Sequence, residues 1–381
     1  MTRSRVLWTL ILFGLAAGLL AAMAIRQAPT IHPALSPLGP RSPVATFTPV
    51  TQPASPMPQT RIASRLYLPL IANVQVSPPP AVAVTAAPTS VIPNVLIPKN
   101  LGGLHVEGVG DHTGYEEFLR ACSAANRPVS LIKVFGDGFS ARLAKETDPR
   151  TVTIWRKPAK TGHKEDMDNP PGDWNWSASE TPEIARRWME AMYPVWENER
   201  QYIDYFEIVN EPNMATMTQT LRSVDFMLEA MKLADQHDPP YKLAIWSFSS
   251  GTPELWQAQL MVPTLRYAAE HGHILSVHDG SVDAGRRLFR QAAEDGTAFR
   301  YRMFYPLLGK SMPRVAVTEA YQPEGYYNPD WADWQWYLTE MAKDDVIGVA
   351  WFTLGPYSFG GGQDVNVVKQ LPSFAQALGC K

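Results

Sequence analysis

The sequence predicts a closed (β/α)8 barrel over residues 98–381, and three observations carry that prediction. Eight short apolar runs recur along this region, with amphipathic helical stretches between them. Four successive steps between run ends, from Glu211 to Phe248, His278, Glu319 and Phe352, measure about 37, 30, 41 and 33 residues, the rhythm of repeated βα units. The region of roughly 284 residues also matches the usual size of one such barrel. A doubly wound sheet is the structural rival, but strict alternation over eight strands favours closure.

Buried parallel strands read as continuous apolar runs. In order, the runs are LGGLHV (101–106), VSLIKVF (129–135), TVTIWR (151–156) and YFEIVN (205–210). KLAIWSF (242–248), ILSVH (274–278), RVAVTE (314–319) and VIGVAWF (346–352) follow. The helical stretches include YEEFLRACSAA after the first run and TPEIARRWMEAMYPVWENERQ before the fourth. VDFMLEAMKLADQ follows the fourth run, AGRRLFRQAAED the sixth and DWADWQWYLTEMAKDD the seventh. The early half is less regular, with a long polar insertion at 157–180.

Upstream, the chain is a different material. Arg3 and Arg5 precede an uncharged apolar run at 6–25, the pattern of an export signal. Residues 1–26 read as a signal peptide or a signal anchor: small residues at 22–24 suit a signal peptidase, while the length suits an uncleaved anchor in the membrane. Residues 27–97 are rich in Pro, Ala, Thr and Ser, a composition that cannot bury enough apolar surface to offset its ordering entropy. They read as a disordered stalk, interrupted by RLYLPLIANV at 65–74. Either way the barrel is expected outside the cytoplasm, secreted or tethered to the membrane.

Composition narrows the function classes. A net charge of −3 leaves no electrostatic footprint for nucleic acid or an anionic membrane surface. Twelve tryptophans and fourteen tyrosines suit core filling first, and ring stacking on apolar ligand faces second. The two cysteines cannot build a disulfide scaffold or a structural zinc site. Cys122 falls in the first helix and Cys380 after the last, neighbours in a closed ring. In an oxidising compartment they would clasp its ends; the alternative is two unpaired buried side chains.

DYFEIVNEPN at 204–213 delivers Asn210 and Glu211 to the end of the fourth strand, and Glu319 ends the seventh. Strand C-termini of this fold converge on one mouth, where its catalytic sites lie. Two carboxyl groups facing each other there are what glycosidic cleavage requires, one as a proton donor and one as an anion against the oxocarbenium-like centre.

IVNEPN together with VAVTEAY resembles the clan-A, or 4/7 superfamily, glycoside hydrolases, whose catalytic domain is a TIM barrel. The resemblance spans 98–381 in its strand order. It implies Glu211 as acid/base, Glu319 as nucleophile, retention of anomeric configuration, and Asn210 on the sugar 2-hydroxyl. It also implies Trp351 as an aromatic platform, and at the end of strand six His278 or Asp279 is read as touching substrate, the alternative being a loop-capping polar pair. The clan's strand-six tyrosine is replaced here by Asp279 and Gly280, which leaves Tyr321 as a candidate to orient the nucleophile. The clan's strand-two arginine is absent too; Lys133 and Arg156 are candidates to hold the nucleophile anionic. His105 and Glu107 could line the pocket, and Trp246 is read as platform or core.

Weaker signals have plainer readings. GVGDHT (108–113) fails the dinucleotide pattern at Thr113 and reads as a turn. His271 and His273 fall at the barrel bottom, with Gly272 as a helix stop, and are not expected to bind metal. Tyr357 and Phe359 sit in a loop after strand eight, and Trp174 and Trp176 either form a lid or pin a solvated loop. The whole reads as a secreted or tethered retaining β-glycosidase acting on a carbohydrate, with no cofactor, metal or protein partner required. A surface carbohydrate-binding protein that no longer turns over is the second reading, motivated by the missing tyrosine and arginine.

Overall fold

The computed structural model describes residues 100–380 apart from 109–111, 137, 158–173, 281–287, 322–328, 356 and 360–362. The predicted signal or anchor, the stalk and its 65–74 interruption lie outside the described residues, as do residues 109–111 of GVGDHT. No helix among the described residues is long and apolar enough to cross a membrane.

Eight parallel strands close into a barrel in chain order. They are β1 (Gly102–Glu107), β2 (Leu131–Phe135), β3 (Val152–Arg156), β4 (Tyr205–Ile208), β5 (Leu243–Phe248), β6 (Ile274–Gly280), β7 (Val315–Tyr321) and β8 (Val346–Leu354). The helices after β1 to β5 are α1 (Tyr115–Ala124), α2 (Phe139–Thr147), α3 (Thr181–Glu197), α4 (Met217–Gln236) and α5 (Leu255–His271). Two short helices, α6 (Phe289–Glu294) and α7 (Tyr305–Leu308), follow β6; α8 (Trp331–Met341) follows β7 and α9 (Leu371–Ala377) closes the ring.

Local chemistry sets these boundaries. Thr216 accepts from the Gln219 amide at 3.2 Å while Gln219 Oε1 accepts from the Thr216 amide at 3.0 Å, a reciprocal cap that starts α4. Asp330 Oδ1 accepts from the Ala332 and Asp333 amides at 3.0 and 3.1 Å and starts α8. Gly272, in the left-handed region at φ 73°, ends α5 as a residue without Cβ can.

The barrel interior is layered along its axis. Leu131, Ile154, Ala244, Ile274, Ala316, Ile347 and Ala350 form a buried apolar plug. Two residues further along β2, and on the same strand face, comes Lys133, which is fully buried and paired with Glu207 of β4 at 2.6 Å. Glu207 Oε2 also accepts from Ser276 Oγ of β6 at 3.0 Å, and Ser276 continues to Thr318 of β7 at 2.7 Å and Ser247 of β5 at 3.1 Å. A polar floor therefore ties five strands together directly beneath the mouth.

Cys122 of α1 and Cys380 beyond α9 form a disulfide across a sequence separation of 258 residues. Of the two alternatives open from the sequence, the ring carries the clasp. Replacing both cysteines by serine is expected to lower stability by about 2–5 kcal/mol, because the crosslink restricts the unfolded chain. The urea midpoint should fall; a midpoint equal to that of the parent protein would show the crosslink contributes nothing.

Candidate active site

Glu211 reaches the mouth because β4 breaks at its end. The strand stops at Ile208, and Val209 and Glu211 take φ values of 65° and 46°. The left-handed region is unfavourable for a β-branched residue, so surrounding contacts must hold it there. One such contact is the Glu211 amide, which donates to Ser247 O of β5 at 3.0 Å. Glu319 lies within β7, level with His278 of β6 in the β6–β7 register.

His278 lies between the two carboxyl groups. Its Nδ1 lies 2.8 Å from Glu211 Oε1, and its Nε2 lies 3.6 Å from Glu319 Oε1. The imidazole is buried, the Glu211 side chain is 41% exposed and the Glu319 side chain 11%. One acid faces the open mouth and the other the floor. Glu319 Oε1 sits among four nitrogens: Arg156 Nη1 at 3.5 Å, His278 Nε2 at 3.6 Å, and Lys133 Nζ and His105 Nε2 at 3.7 Å each. Arg156 also donates to Asn210 Oδ1 and to Glu207 Oε1 at 3.3 Å, with its guanidinium over the Phe135 ring. This one residue thus orients the amide beside Glu211 and adds positive charge beside Glu319.

Burial and charge set the protonation states. Burial alone would raise the Glu211 carboxyl, but the His278 hydrogen bond and the nearby Arg156 and Lys133 cations outweigh it, and Glu211 lies below the ordinary range. Burial likewise acts to raise Glu207, yet Lys133 and Arg156 hold it down at about 2. Burial, then the charges of Lys133 and Arg156, pushes His105 well below the usual imidazole value, so its ring is neutral. Its Nδ1 is held by Thr353 Oγ1 at 2.7 Å.

Glu107, at the end of β1, is pushed up to about 7 by burial, with Glu319 adding to the rise and Lys133 opposing it. A carboxyl raised on folding stabilises below its unfolded value, and that stabilisation is lost as pH rises toward the folded value. Stability should therefore fall between about pH 4.5 and pH 7 through this group, and Glu107→Gln should flatten that part of the profile. An unchanged slope across the window would remove Glu107 from the account.

The structure brings together Glu211, Glu319, Asn210, His278, Arg156 and His105, together with Lys133. It gives three other candidates contacts different from those sought for them. Trp351 is buried against Trp331 and Trp334 of α8 and Phe374 of α9, with ring centroids 4.9–5.5 Å away, so it faces the helical layer and not a substrate. An aromatic beside the site is its neighbour Phe352, 4.7 Å from the His105 ring and 6.4 Å from the Tyr321 ring. Trp246 is also buried, with Nε1 donating to Ser223 of α4 at 2.7 Å. Tyr321 directs its hydroxyl to Ser250 at 2.8 Å, not to a carboxylate. The orienting role sought for it falls to His278 and His105.

Asp279 likewise turns outward, accepting from Tyr337 Oη at 2.7 Å and from the Phe299 amide at 3.1 Å. Trp174 and Trp176 pack on Phe226 of α4, and Trp174 is buried, so they pin the insertion's end. His271 and His273 face Asp235 at the opposite end of the barrel. The side chains of Tyr357 and Phe359 lie outside the described residues. Glu207 was missed in the sequence, although a charged residue inside an apolar strand is a readable signal.

No family model and no curated protein matches the chain. Among solved structures it is similar to an endo-β-1,4-mannanase from Thermotoga petrophila, at 11% identity and TM-score 0.46, over 73% of this chain and 77% of that one. It is similar to a β-mannanase from Thermomonospora fusca in complex with mannohexaose, at 13% identity and TM-score 0.38, over 68% and 80%. It is also similar to a β-glucuronidase from an uncultured Clostridium sp., at 13% identity and TM-score 0.41, where 73% of this chain spans half of that chain's length. At these scores the likenesses carry no weight for substrate or mechanism. With its barrel closed in chain order, Asn210–Glu211 following β4 and Glu319 on β7, the chain resembles the TIM-barrel glycoside hydrolases of clan A.

Proposed function

We propose that the protein is a retaining glycoside hydrolase that cleaves β-glycosidic bonds of an extracellular oligo- or polysaccharide. The observation that carries this reading is the Glu211–His278–Glu319 arrangement, two carboxyl groups from opposite parts of the ring meeting on one imidazole. In the first step Glu319 attacks the anomeric carbon while Glu211 gives its proton to the departing oxygen. In the second, water loses a proton to Glu211 and displaces Glu319 from that carbon. Asn210, held by Arg156, is placed beside Glu211 to bond the sugar 2-hydroxyl. The disulfide and the apolar N-terminal run support action outside the cytoplasm, secreted or membrane-tethered.

The lowered Glu211 bears on the acid step, since a proton donor has to carry its proton. On this reading the substrate's glycosidic oxygen takes the place of His278 as the hydrogen-bond partner of Glu211. His278→Ala removes a contact that lowers Glu211, so the alkaline limb of kcat/KM should move to higher pH. A limb that stays put, or moves down, contradicts the assignment. The same lowering favours the second reading, a carbohydrate-binding surface protein without turnover. A screen of aryl β-glycosides on the full chain decides between them: hydrolysis that disappears in Glu319→Gln, and that Glu211→Gln weakens most for poor leaving groups, supports the enzyme. Binding without hydrolysis in the parent protein supports the second reading.

A further inference from the structure

We infer that the cleft between the loops after β4 and β5 is a binding site for the leaving-group half of the substrate, with Trp256 as its sugar-stacking platform. The inference rests on the glycosidase reading and specifies which part of the substrate this surface takes. Glu211 itself lines the cleft, whose volume is about 360 Å³, together with Pro212, Asn213, Met214, Ser249 and Trp256. That volume is at the lower end for small-molecule sites, enough for a short saccharide and too small for a folded partner. A proton donor must touch the oxygen that departs, so the group attached to that oxygen has to lie beside Glu211. Among the described residues this cleft is a space beside Glu211 that can take it.

The chemistry of the lining fits a sugar ring, which has apolar C–H faces and a polar rim. Trp256 is 39% exposed and offers an indole face, while Asn213 and Ser249 offer polar groups. The exposure has a wider pattern. Among the described residues five large apolar side chains are exposed, and four of them, Met217, Leu221, Leu255 and Trp256, lie in the first turns of α4 and α5. Helices that follow barrel strands begin at the mouth, so this apolar skirt borders the catalytic opening. Large apolar side chains exposed together at the starts of two adjacent helices, rather than scattered singly, point to a binding surface. The Trp256 backbone needs no ligand to hold it: Gln257 Oε1 accepts from the Glu254 amide at 2.6 Å and caps the helix there. A change of the indole should therefore leave the fold intact.

The test isolates the leaving-group side by using it as an acceptor. The protein is first trapped with a 2,4-dinitrophenyl 2-deoxy-2-fluoro-β-glycoside, and excess reagent is removed. Reactivation is then timed in buffer and with added cellobiose, mannobiose, xylobiose or β-linked galactobiose. In reactivation an acceptor hydroxyl oxygen bonds to the anomeric carbon, its proton goes to Glu211, and the bond to Glu319 breaks. The expected result is that at least one disaccharide accelerates reactivation. Trp256→Ala should lower that acceleration about fivefold to tenfold, leave the rate in buffer unchanged, and recover most of it as Trp256→Phe. Equal acceleration in the parent protein and Trp256→Ala, or none by any disaccharide, overturns the site while the glycosidase reading stands. Failure to trap the protein at all overturns both.

Discussion

Glu319→Gln is expected to cost about four to six orders of magnitude in turnover, the scale on which loss of a covalent nucleophile is measured in other hydrolases. The amide keeps the shape and hydrogen-bonding reach of the carboxylate but cannot form the glycosyl-enzyme bond. Glu211→Ala should behave differently. General acid catalysis supplies about 10²–10⁴-fold and only where the departing oxygen needs a proton. A poor leaving group should lose that factor in the first step, whereas 2,4-dinitrophenolate, which leaves without help, should lose little. The contrast is specific to roles, because a variant that merely misfolds loses all substrates together. Equal losses of kcat/KM, which reports the first step, on both leaving groups would remove Glu211 from the acid position.

Glu207→Ala is expected to give the largest stability loss of any single substitution considered, about 3–5 kcal/mol, because it takes the hydrogen-bonded carboxylate from a fully buried lysine and leaves it only Glu319 at 3.7 Å. Lys133 and Glu207 are both shielded from solvent and 2.6 Å apart. Burial lowers Lys133 toward the neutral form, and the Glu207 carboxylate acts against that. The pH sign follows from Glu207, whose value is lowered on folding from 4.5 to about 2. Its contribution is present above the unfolded value and is lost as pH falls toward about 2. Urea titrations at pH 7 and pH 3 should show the parent protein losing part of its advantage over Glu207→Ala at the lower pH. A difference that is constant or grows on acidification contradicts the assignment. The same substitution removes the carboxylate that Lys133 and Arg156, the two strong cations beside Glu319, share, so activity should fall as well.

Much of this architecture is legible in the residues. Buried strands read as apolar runs, and all eight predicted runs overlap the observed strands within a few residues. The two glutamates follow from their strand positions. What misleads is side-chain direction. Alternation along a strand holds only while the backbone stays regular, and this barrel is irregular where its site is built. The β7–β8 register shifts between Val317 and Ala320, next to Trp351, and the β5–β6 register shifts between Ile245 and Phe248. Trp246 and Ser247 take φ values of 72° and 40° within the second of these. There Ser247 joins the polar floor and Trp246 faces α4, an outcome that no count along the sequence predicts. Glu207 was readable by contrast, since a lone charge on the axis-facing side of a buried strand requires a partner, and Lys133 supplies it.

The central claim is that Glu319 forms a covalent bond to the sugar while Glu211 handles the proton. Trapping with a 2-fluoro β-glycoside, proteolysis and mass mapping test it most directly. The account predicts one added glycosyl mass per chain, located on the peptide bearing Glu319 and absent from Glu319→Gln. A label on any other residue, or hydrolysis that inverts the anomeric centre without any trapped species, would contradict it.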